Sequence, residues 1–190
     1  MEKNQIIIIG GSAGSVGVLM KILPKIPESY PIPIVVVVHR MAQEDNLLES
    51  LLKSKCSINI IEAEDKMHLA PSAVYMAPPD FHLLFEKDRT IALDYSEKVN
   101  YTRPSIDITM QSASDVYGNK VTGILLTGSN QDGAIGMKKI AENGGSTIIQ
   151  SPESSEIKTM PESAEKLSKI DHVLNPDEIL DYLMKTVLNR

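Results

Sequence analysis

The sequence is poor in cysteine and in long apolar runs. Cys56 is the only cysteine among 190 residues, which excludes an internal disulfide and is consistent with a reducing compartment. No apolar run approaches the roughly 18 residues that cross a membrane, and residues 6–9 are too short for the apolar core of a signal peptide, which needs about 7 to 15. We therefore expect a cytoplasmic protein that does not insert into a membrane.

Basic residues and phosphate-binding motifs are also scarce. The chain has 19 Lys and Arg against 25 Asp and Glu, whereas a nucleic-acid-binding protein normally presents a basic face, so we expect no nucleic-acid partner. No Gly-Lys-Ser or Gly-Lys-Thr triplet closes a phosphate loop, and the four histidines and single cysteine lack metal-ligand spacing. We expect neither a metal nor a cofactor.

What the chain does contain is an ordinary globular composition with an α/β pattern. Hydrophobic residues make up 42% and charged residues 23%, and we expect one domain over residues 1–190. Short β-branched runs alternate with amphipathic stretches, which is typical of βαβ units. The fold class is therefore predicted as α/β: a three-layer αβα architecture with a doubly wound, mostly parallel sheet.

The predicted elements follow from these runs and from turn and cap residues. Strands are predicted at residues 6–9, 34–38, 58–62, 121–126 and 146–150. Helices are predicted at 15–23, around 47–52, at 106–117 after the cap Ser105, at 133–142, at 160–167, and from Pro176 onward. Residues 74–93 hold three short runs divided by Pro78-Pro79 and Lys87-Asp88, and we predict an antiparallel excursion there.

A Gly-x-Ser-x-Gly pattern, residues 10–14, directly follows the first predicted strand. A serine nucleophile on a tight strand-to-helix turn needs such glycines, since a Cβ would clash with the sheet. Glycines between a first strand and a first helix also bind phosphate at the helix N-terminus. By itself, the pattern around Ser12 leaves hydrolase and phosphate binder open.

Two further polar residues follow predicted strands: His39 after the second, and Asp132 in the loop after residues 121–126. In an open parallel sheet the carboxyl ends of the strands gather at one edge, so Ser12, His39 and Asp132 are expected to meet as a catalytic triad. Alone, each could be a cap or turn residue. A dinucleotide site would instead close the second strand with an acidic residue, where this chain has His39 and Arg40.

A polar block at residues 101–105 opens the predicted helix at 106–117 and could lie beside the same edge. Arg103 is a candidate for holding a carboxylate or carbonyl of the substrate, because a guanidinium forms strong charge-assisted hydrogen bonds. The alternative is a surface arginine next to a helix cap.

Several separated motifs together resemble the catalytic domain of the chemoreceptor glutamate methylesterases, the CheB type of bacterial chemotaxis. They cover most of the chain in the family's order, and lie at residues 8–14, 38–41, 75–78, 99–107, 126–137 and 160–161. The resemblance implies Ser12 as nucleophile, His39 as general base and Asp132 as the carboxylate that orients it. It also implies hydrolysis of receptor glutamate methyl esters, with deamidation of receptor glutamine as a related activity.

The resemblance further implies partners and an oxyanion site. The expected partners are the cytoplasmic helices of methylated chemoreceptors or a related signalling protein. The family suggests the amide of Ser129 as an oxyanion donor, and we place Ala13 beside it as a second candidate. Where the family usually has threonine after the nucleophile this chain has Ala13, and the family's Gly-Met-Gly is here residues 128–130.

Two points of function and regulation stay open from the sequence. Only eleven residues precede Ser12, so we expect no phosphorylatable receiver domain upstream, and control by a partner or none. The alternative functions are a catalytically silent binding or scaffold module, which the changes at Ala13 and Ser129 would suit, and an esterase for another signalling protein or a small methyl ester.

Overall fold

The structure is a computed structural model that describes residues 5–39 and 47–188, and the side chains as far as Lys185. Arg40 and Met41, which belong to one of the family motifs, lie outside the described residues. The strands are β1 Ile6–Gly11, β2 Ile34–Val38, β3 Asn59–Glu62, β4 Ala73–Met76, β5 His82–Phe85, β6 Ile91–Asp94, β7 Val121–Leu125, β8 Ser146–Gln150 and β9 His172–Leu174. The helices are α1 Ser15–Ile22, α2 Leu47–Lys55, α3 Ile106–Tyr117, α4 Ala134–Glu142, α5 Thr159–Leu167 and α6 Pro176–Leu188.

Seven strands form one sheet in the order β3-β4-β2-β1-β7-β8-β9, and every neighbouring pair in it is parallel. From β1 the sheet continues through β2, β4 and β3 on one side, and through β7, β8 and β9 on the other. The strand order therefore reverses at β1 and β7. Ligands of open α/β sheets bind outside the carboxyl ends of the strands at such a switch point, and Ser12 follows β1 there.

Helices cover both faces of this sheet, because its central strands are apolar on both faces. Side chains alternate across a strand, so Ile6 and Ile8 pack with α3, α4 and α5, while Ile7 and Ile9 pack with α1 and α6. The predicted three-layer αβα fold is confirmed. None of the helices in the described part of the chain is both long and apolar enough to cross a membrane.

The prediction of an antiparallel excursion over residues 74–93 is wrong in its first part. Ala73–Met76 is a strand of the main sheet, parallel to both β2 and β3. All four of its residues are buried, as expected for a strand covered on both faces. Among the strands of the described residues, β5 and β6 are the pair that runs antiparallel, and they form a small separate sheet.

The β5–β6 hairpin helps to position the start of α3. The Thr109 hydroxyl donates to the Leu83 carbonyl oxygen at 2.7 Å, and the Phe85 amide donates to Ser112 Oγ at 3.2 Å. Phe85 also meets Tyr117 edge-on, with ring centroids 5.6 Å apart. These contacts tie one side of α3 to the hairpin, while its first turn points toward the carboxyl edge of the sheet.

Candidate active site

Ser12 lies on the turn between β1 and α1 at the switch point. Its amide donates to the Thr127 carbonyl oxygen at 3.0 Å, and its own carbonyl oxygen accepts from the Ser15 amide at 2.9 Å. The N-cap of α1 is Gly14, with a φ of 82°, so Ser12 does not cap the helix. Ser12 Oγ makes no hydrogen bond among the described residues, which leaves its hydroxyl free to react.

The glycines of this turn are required by close packing. A Cβ on Gly10 would lie 2.5 Å from Ile106 Cγ2, and one on Gly11 would lie 2.5 Å from Ser15 Cβ. The strand can therefore approach α3 and α1 only without side chains at these two positions. The Gly-x-Ser-x-Gly pattern thus forms the strand, tight turn and helix that a nucleophilic serine needs.

His39 follows β2 and is held beside this turn, since its amide donates to the Gly11 carbonyl oxygen at 3.2 Å. Its ring Nε2 lies 2.7 Å from Asp132 Oδ2. Its ring Nδ1 is buried and has no hydrogen-bond partner in the described part of the chain. A neutral imidazole that donates from Nε2 carries an acceptor lone pair on Nδ1, so Nδ1 is the nitrogen left to receive a proton.

Ser12 and His39 line one pocket of about 320 Å³, whose apolar side is formed by Val16, Leu48 and Leu51. No hydrogen bond joins Ser12 Oγ to the His39 ring among the described residues. Catalytic hydrogen bonds are often long before substrate binds, so this geometry is compatible with a serine–histidine pair that tightens on binding.

Asp132 is fully buried and accepts hydrogen bonds on both oxygens. Besides His39, Oδ2 accepts from the Ile106 amide at 2.7 Å, and Oδ1 accepts from Ser105 Oγ at 2.8 Å and the Asp107 amide at 3.1 Å. Burial alone would raise the pKa of Asp132, but the hydrogen bonds from His39, Ile106 and Ser105 outweigh it and lower that pKa. The carboxylate is therefore ionised at neutral pH beside the imidazole.

A second buried carboxylate, Asp107, lies in the first turn of α3. Its Oδ1 accepts from the Gly136 amide at 2.8 Å, in the first turn of α4. Asp132, just before α4, thus binds the start of α3, and Asp107 binds the start of α4, where helix dipoles favour negative charge. Burial raises the pKa of Asp107 to about 6, with repulsion from Asp132 adding to it and hydrogen bonds from Gly136 and Gly133 opposing it.

The two oxyanion candidates lie on neighbouring loops. Ala13 and Ser129 are exposed, and their amides donate to no acceptor among the residues that the structure describes. The Thr127 hydroxyl lies 3.1 Å from the Ala13 carbonyl oxygen and links the two loops. An unpaired amide at each position is what an oxyanion site requires, and the role of both residues stays a prediction.

Arg103 lies near the site with its guanidinium already occupied. Nη2 donates to Asp80 Oδ1 at 2.7 Å, Nη1 donates to the Ser96 carbonyl oxygen at 2.7 Å, and the group stacks 3.8 Å from the ring centroid of Tyr95. These contacts hold residues 95–103 in place. A substrate contact by Arg103 stays a prediction.

Sequence reasoning missed the side chains that surround Asp132. It treated Ser105 only as a helix cap, and it assigned no role to Asp107 or to Thr102, whose hydroxyl lies 3.3 Å from Asp132 Oδ2. The available signal was a Pro-Ser-x-Asp start of α3, which concentrates acceptors and free amides at one helix end. In the described residues, no group of three or more His, Cys, Asp or Glu side chains could hold a metal ion.

A doubly wound αβα sheet with a free serine at its switch point, beside a half-buried histidine that binds a buried aspartate, places the chain in the α/β class of hydrolases. Comparison with known proteins then narrows this class. The profile of the CheB methylesterase family matches residues 7–183. The chain belongs to the CheB methylesterase family and is a carboxylic ester hydrolase.

Relatives and a solved structure agree with that assignment. A Leptospira interrogans relative with a provisional name, protein-glutamate methylesterase/protein-glutamine glutaminase, is 44% identical over 94% of this chain and 93% of its own length. The Thermotoga maritima protein of that name is 34% identical over 97% of this chain and 54% of its own length. Protein-glutamate methylesterase FrzG of Myxococcus xanthus is 33% identical, and the match likewise covers 54% of it.

The crystal structure of the T. maritima CheB methylesterase catalytic domain superposes with a TM-score of 0.92 at 34% identity. It covers 97% of this chain and 99% of that domain. The chain therefore spans about half the length of the longer relatives, and for the T. maritima protein the structure that it matches is the catalytic domain.

Proposed function

We propose that this protein hydrolyses glutamate methyl esters on chemoreceptors or a related signalling protein, with Ser12 as nucleophile, His39 as general base and Asp132 as orienting carboxylate. One observation carries the proposal: His39 Nε2 is bound to Asp132 at 2.7 Å, while its buried Nδ1 has no partner among the described residues and shares a pocket with Ser12. The names of the relatives support the choice of substrate.

The chemistry begins with activation of the serine. Nδ1 of His39 accepts the Ser12 proton as Oγ attacks the ester carbonyl carbon, and the ionised Asp132 stabilises the imidazolium that forms. The tetrahedral oxyanion is held by the amides of Ala13 and Ser129. The imidazolium then returns its proton to the departing methoxy group, which leaves as methanol.

Deacylation repeats the same steps with water as the nucleophile. His39 takes a proton from water, the hydroxide attacks the acyl-enzyme, and the proton returns to Ser12 Oγ as free glutamate is released. Deamidation of a glutamine side chain follows the same path with ammonia as the leaving group. The apolar side of the pocket, at Val16, Leu48 and Leu51, suits the methylene arm and methyl group of the ester.

The proposal predicts that Ser12→Ala abolishes activity. We expect methanol release from methylated receptor to fall by at least about 10³-fold, because the nucleophile is removed. A fluorophosphonate should label the wild type stoichiometrically, with the adduct on Ser12 by mass spectrometry. Ser163→Ala is the matched control, because the Ser163 hydroxyl makes an exposed hydrogen bond on α5, and it should leave both measurements unchanged.

Three results would contradict the proposal. Equal methanol release by wild type and Ser12→Ala would remove Ser12 as nucleophile. Failure of the wild type to react with the fluorophosphonate would favour the silent binding module instead. Labelling of Ser12 without turnover of the receptor would point to an esterase for a different substrate.

A further inference from the structure

Residues Val99–Thr102 form a tight two-residue turn close to the candidate active site. The Val99 amide donates to the Thr102 carbonyl oxygen at 3.2 Å, and the Thr102 amide donates to the Val99 carbonyl oxygen at 2.9 Å. Both central residues have positive φ, 51° at Asn100 and 63° at Tyr101. Such a turn favours Asn-Gly, and here a tyrosine stands at the glycine position.

Tyr101 therefore carries backbone strain, since a Cβ at positive φ approaches the neighbouring carbonyl oxygen. Its exposed side chain does not offset this strain by packing against any of the residues that the structure describes. The residue is 96% exposed, and its ring has no aromatic or cation partner in the described part of the chain. A residue whose backbone is strained while its side chain stays exposed points to a role in binding.

The turn that carries Tyr101 is firmly held on both sides. The Thr102 hydroxyl lies 2.9 Å from the Val99 carbonyl oxygen, and Asn100 Nδ2 donates to Asp107 Oδ2 at 3.4 Å. The next residue, Arg103, is fixed by Asp80 and by the ring of Tyr95. The tyrosine ring is thus presented from a pre-organised position, which lowers the entropy cost of binding.

The turn also lies at the rim of the catalytic groups. The Thr102 hydroxyl and His39 Nε2 approach the same oxygen of Asp132, at 3.3 and 2.7 Å. With standard backbone dimensions, the Tyr101 Cα lies at most about 12 Å from His39 Nε2. We expect a polypeptide whose glutamate side chain reaches Ser12 to pass close to this turn.

We propose that Tyr101 is a docking residue for the protein substrate: its ring contacts the polypeptide that flanks the methylated glutamate, and not the ester itself. The inference rests on the proposed function and adds a recognition element to it. Tyrosine suits this role because its ring is large, rigid and amphipathic, and such residues dominate the energetics of protein interfaces. The contact should strengthen binding of protein substrates and leave the chemical step unchanged.

The test uses three variants of the full chain with a methylated receptor cytoplasmic fragment as substrate. Tyr101→Gly removes the ring and the strain, and we expect KM to rise about 10-fold with kcat within about twofold of wild type. Tyr101→Phe keeps the ring, and we expect its KM to stay within about threefold of wild type. The fluorophosphonate labelling rate of Ser12 should be unchanged in both variants, since the probe has no flanking polypeptide.

Ser72→Gly is the matched control, because Ser72 also has a positive φ, of 65°, but precedes β4 at the opposite edge of the sheet. It should leave KM unchanged. Neither glycine variant should unfold at a lower temperature than wild type, since relief of strain offsets the freedom of glycine in the unfolded chain.

Four outcomes would overturn the inference. One is a KM for Tyr101→Gly within twofold of wild type; another is an equal fall in Ser12 labelling, which would make Tyr101 a support of the site itself. Loss of self-association in Tyr101→Gly, with KM unchanged, would assign the ring to a contact between copies of the chain. If the wild type labels at Ser12 but does not hydrolyse receptor esters, the proposed substrate fails, and this inference fails with it.

Discussion

At the scale of single residues, the two buried carboxylates differ in how they respond to pH. Asp132 accepts hydrogen bonds from His39, Ser105 and the start of α3, and its pKa lies below the ordinary range. Asp107 has fewer donors and faces the charge of Asp132, so its pKa rises to about 6. Asp132 therefore keeps its negative charge in mild acid, whereas Asp107 becomes protonated and loses its charge.

This difference predicts how stability depends on pH. The pKa of Asp107 is about 6 in the folded protein and about 3.9 in the unfolded chain, so the folded state binds the proton more tightly between those values. The stabilisation is complete below about pH 4 and is lost as the pH rises through about 6, by an amount on the order of 2 to 3 kcal/mol. The contribution of Asp132 has the opposite sign and is lost only below about pH 4.

We expect Asp107→Asn to gain stability relative to wild type between pH 4.5 and 7, because the variant has no carboxyl to ionise. The free energy of unfolding in urea at several pH values measures this difference. Asp115→Asn, an exposed position on the same helix, is the control and should show no such trend. A constant difference between Asp107→Asn and wild type would contradict the assignment.

The positions of Ser12, His39 and Asp132 follow from the sequence because each comes directly after a recognisable strand, and parallel strands end at one edge. Their partners could not be predicted in the same way. The contacts of Asp132 with Ser105 and Ile106 join residues 26 or 27 positions apart, and they depend on how α3 packs against the sheet. Which ring nitrogen of His39 faces Asp132 is likewise set by packing.

At the scale of elements, the contact between β1 and the start of α3 sets the geometry of the site. Ile106 begins α3, and its amide binds Asp132 while its side chain fills the space that a Cβ on Gly10 would need. The strand, the helix start and the carboxylate are therefore coupled. A small change in the strand should move the amides that hold Asp132.

We predict that Gly10→Ala lowers the free energy of unfolding by about 1 to 3 kcal/mol and also slows labelling of Ser12, because Ile106 must shift. Gly17→Ala is the matched variant. Gly17 lies within α1 with nothing within 4 Å of its would-be Cβ, so alanine should stabilise the protein by about 0.5 to 1 kcal/mol. Urea unfolding measures the change in stability of each variant, and the fluorophosphonate reaction measures the labelling rate of Ser12. Equal effects from the two variants would contradict the packing argument.

The elements themselves differ in how well local sequence defines them. The bounds of β2, α3 and β8 were predicted as observed, because apolar runs or a Ser105 cap mark their ends. The strand Ala73–Met76 was assigned to the wrong sheet. Its pairing with β2 and β3 joins segments that are separate in the sequence, and no local sequence pattern indicates that pairing. His172–Leu174 was not predicted, because it is three residues long and its first two residues are exposed.

At the scale of the whole molecule, two cores lie on opposite faces of a single sheet. One packs under α3, α4 and α5, and the other under α1 and α6, and the central strands β1, β2 and β7 contribute side chains to both. The same strands belong to both cores. Unfolding of these strands on one face would therefore remove the surface on which the other core packs. This supports the proposal that residues 1–190 form one domain.

We therefore predict a single cooperative unfolding transition for the chain. Scanning calorimetry should give a calorimetric enthalpy equal to the van't Hoff enthalpy, as for a two-state domain. As a control, modification of Ser12 by a fluorophosphonate should leave that ratio unchanged. Two resolved transitions, or a calorimetric enthalpy well above the van't Hoff value, would show that the two cores unfold independently.

The reciprocal contacts of Asp132 with the start of α3 and of Asp107 with the start of α4 constrain how the sequence can change over evolution. Asp132 serves the proposed chemistry and also accepts a hydrogen bond from a backbone amide at the start of α3. Asp107 likewise accepts a hydrogen bond from a backbone amide in the first turn of α4. A lineage that abandons catalysis by replacing Asp132 would leave buried backbone amides unpaired, at a cost of about 1 to 3 kcal/mol each. Descendants that have become inactive should therefore keep this aspartate and lose the serine first.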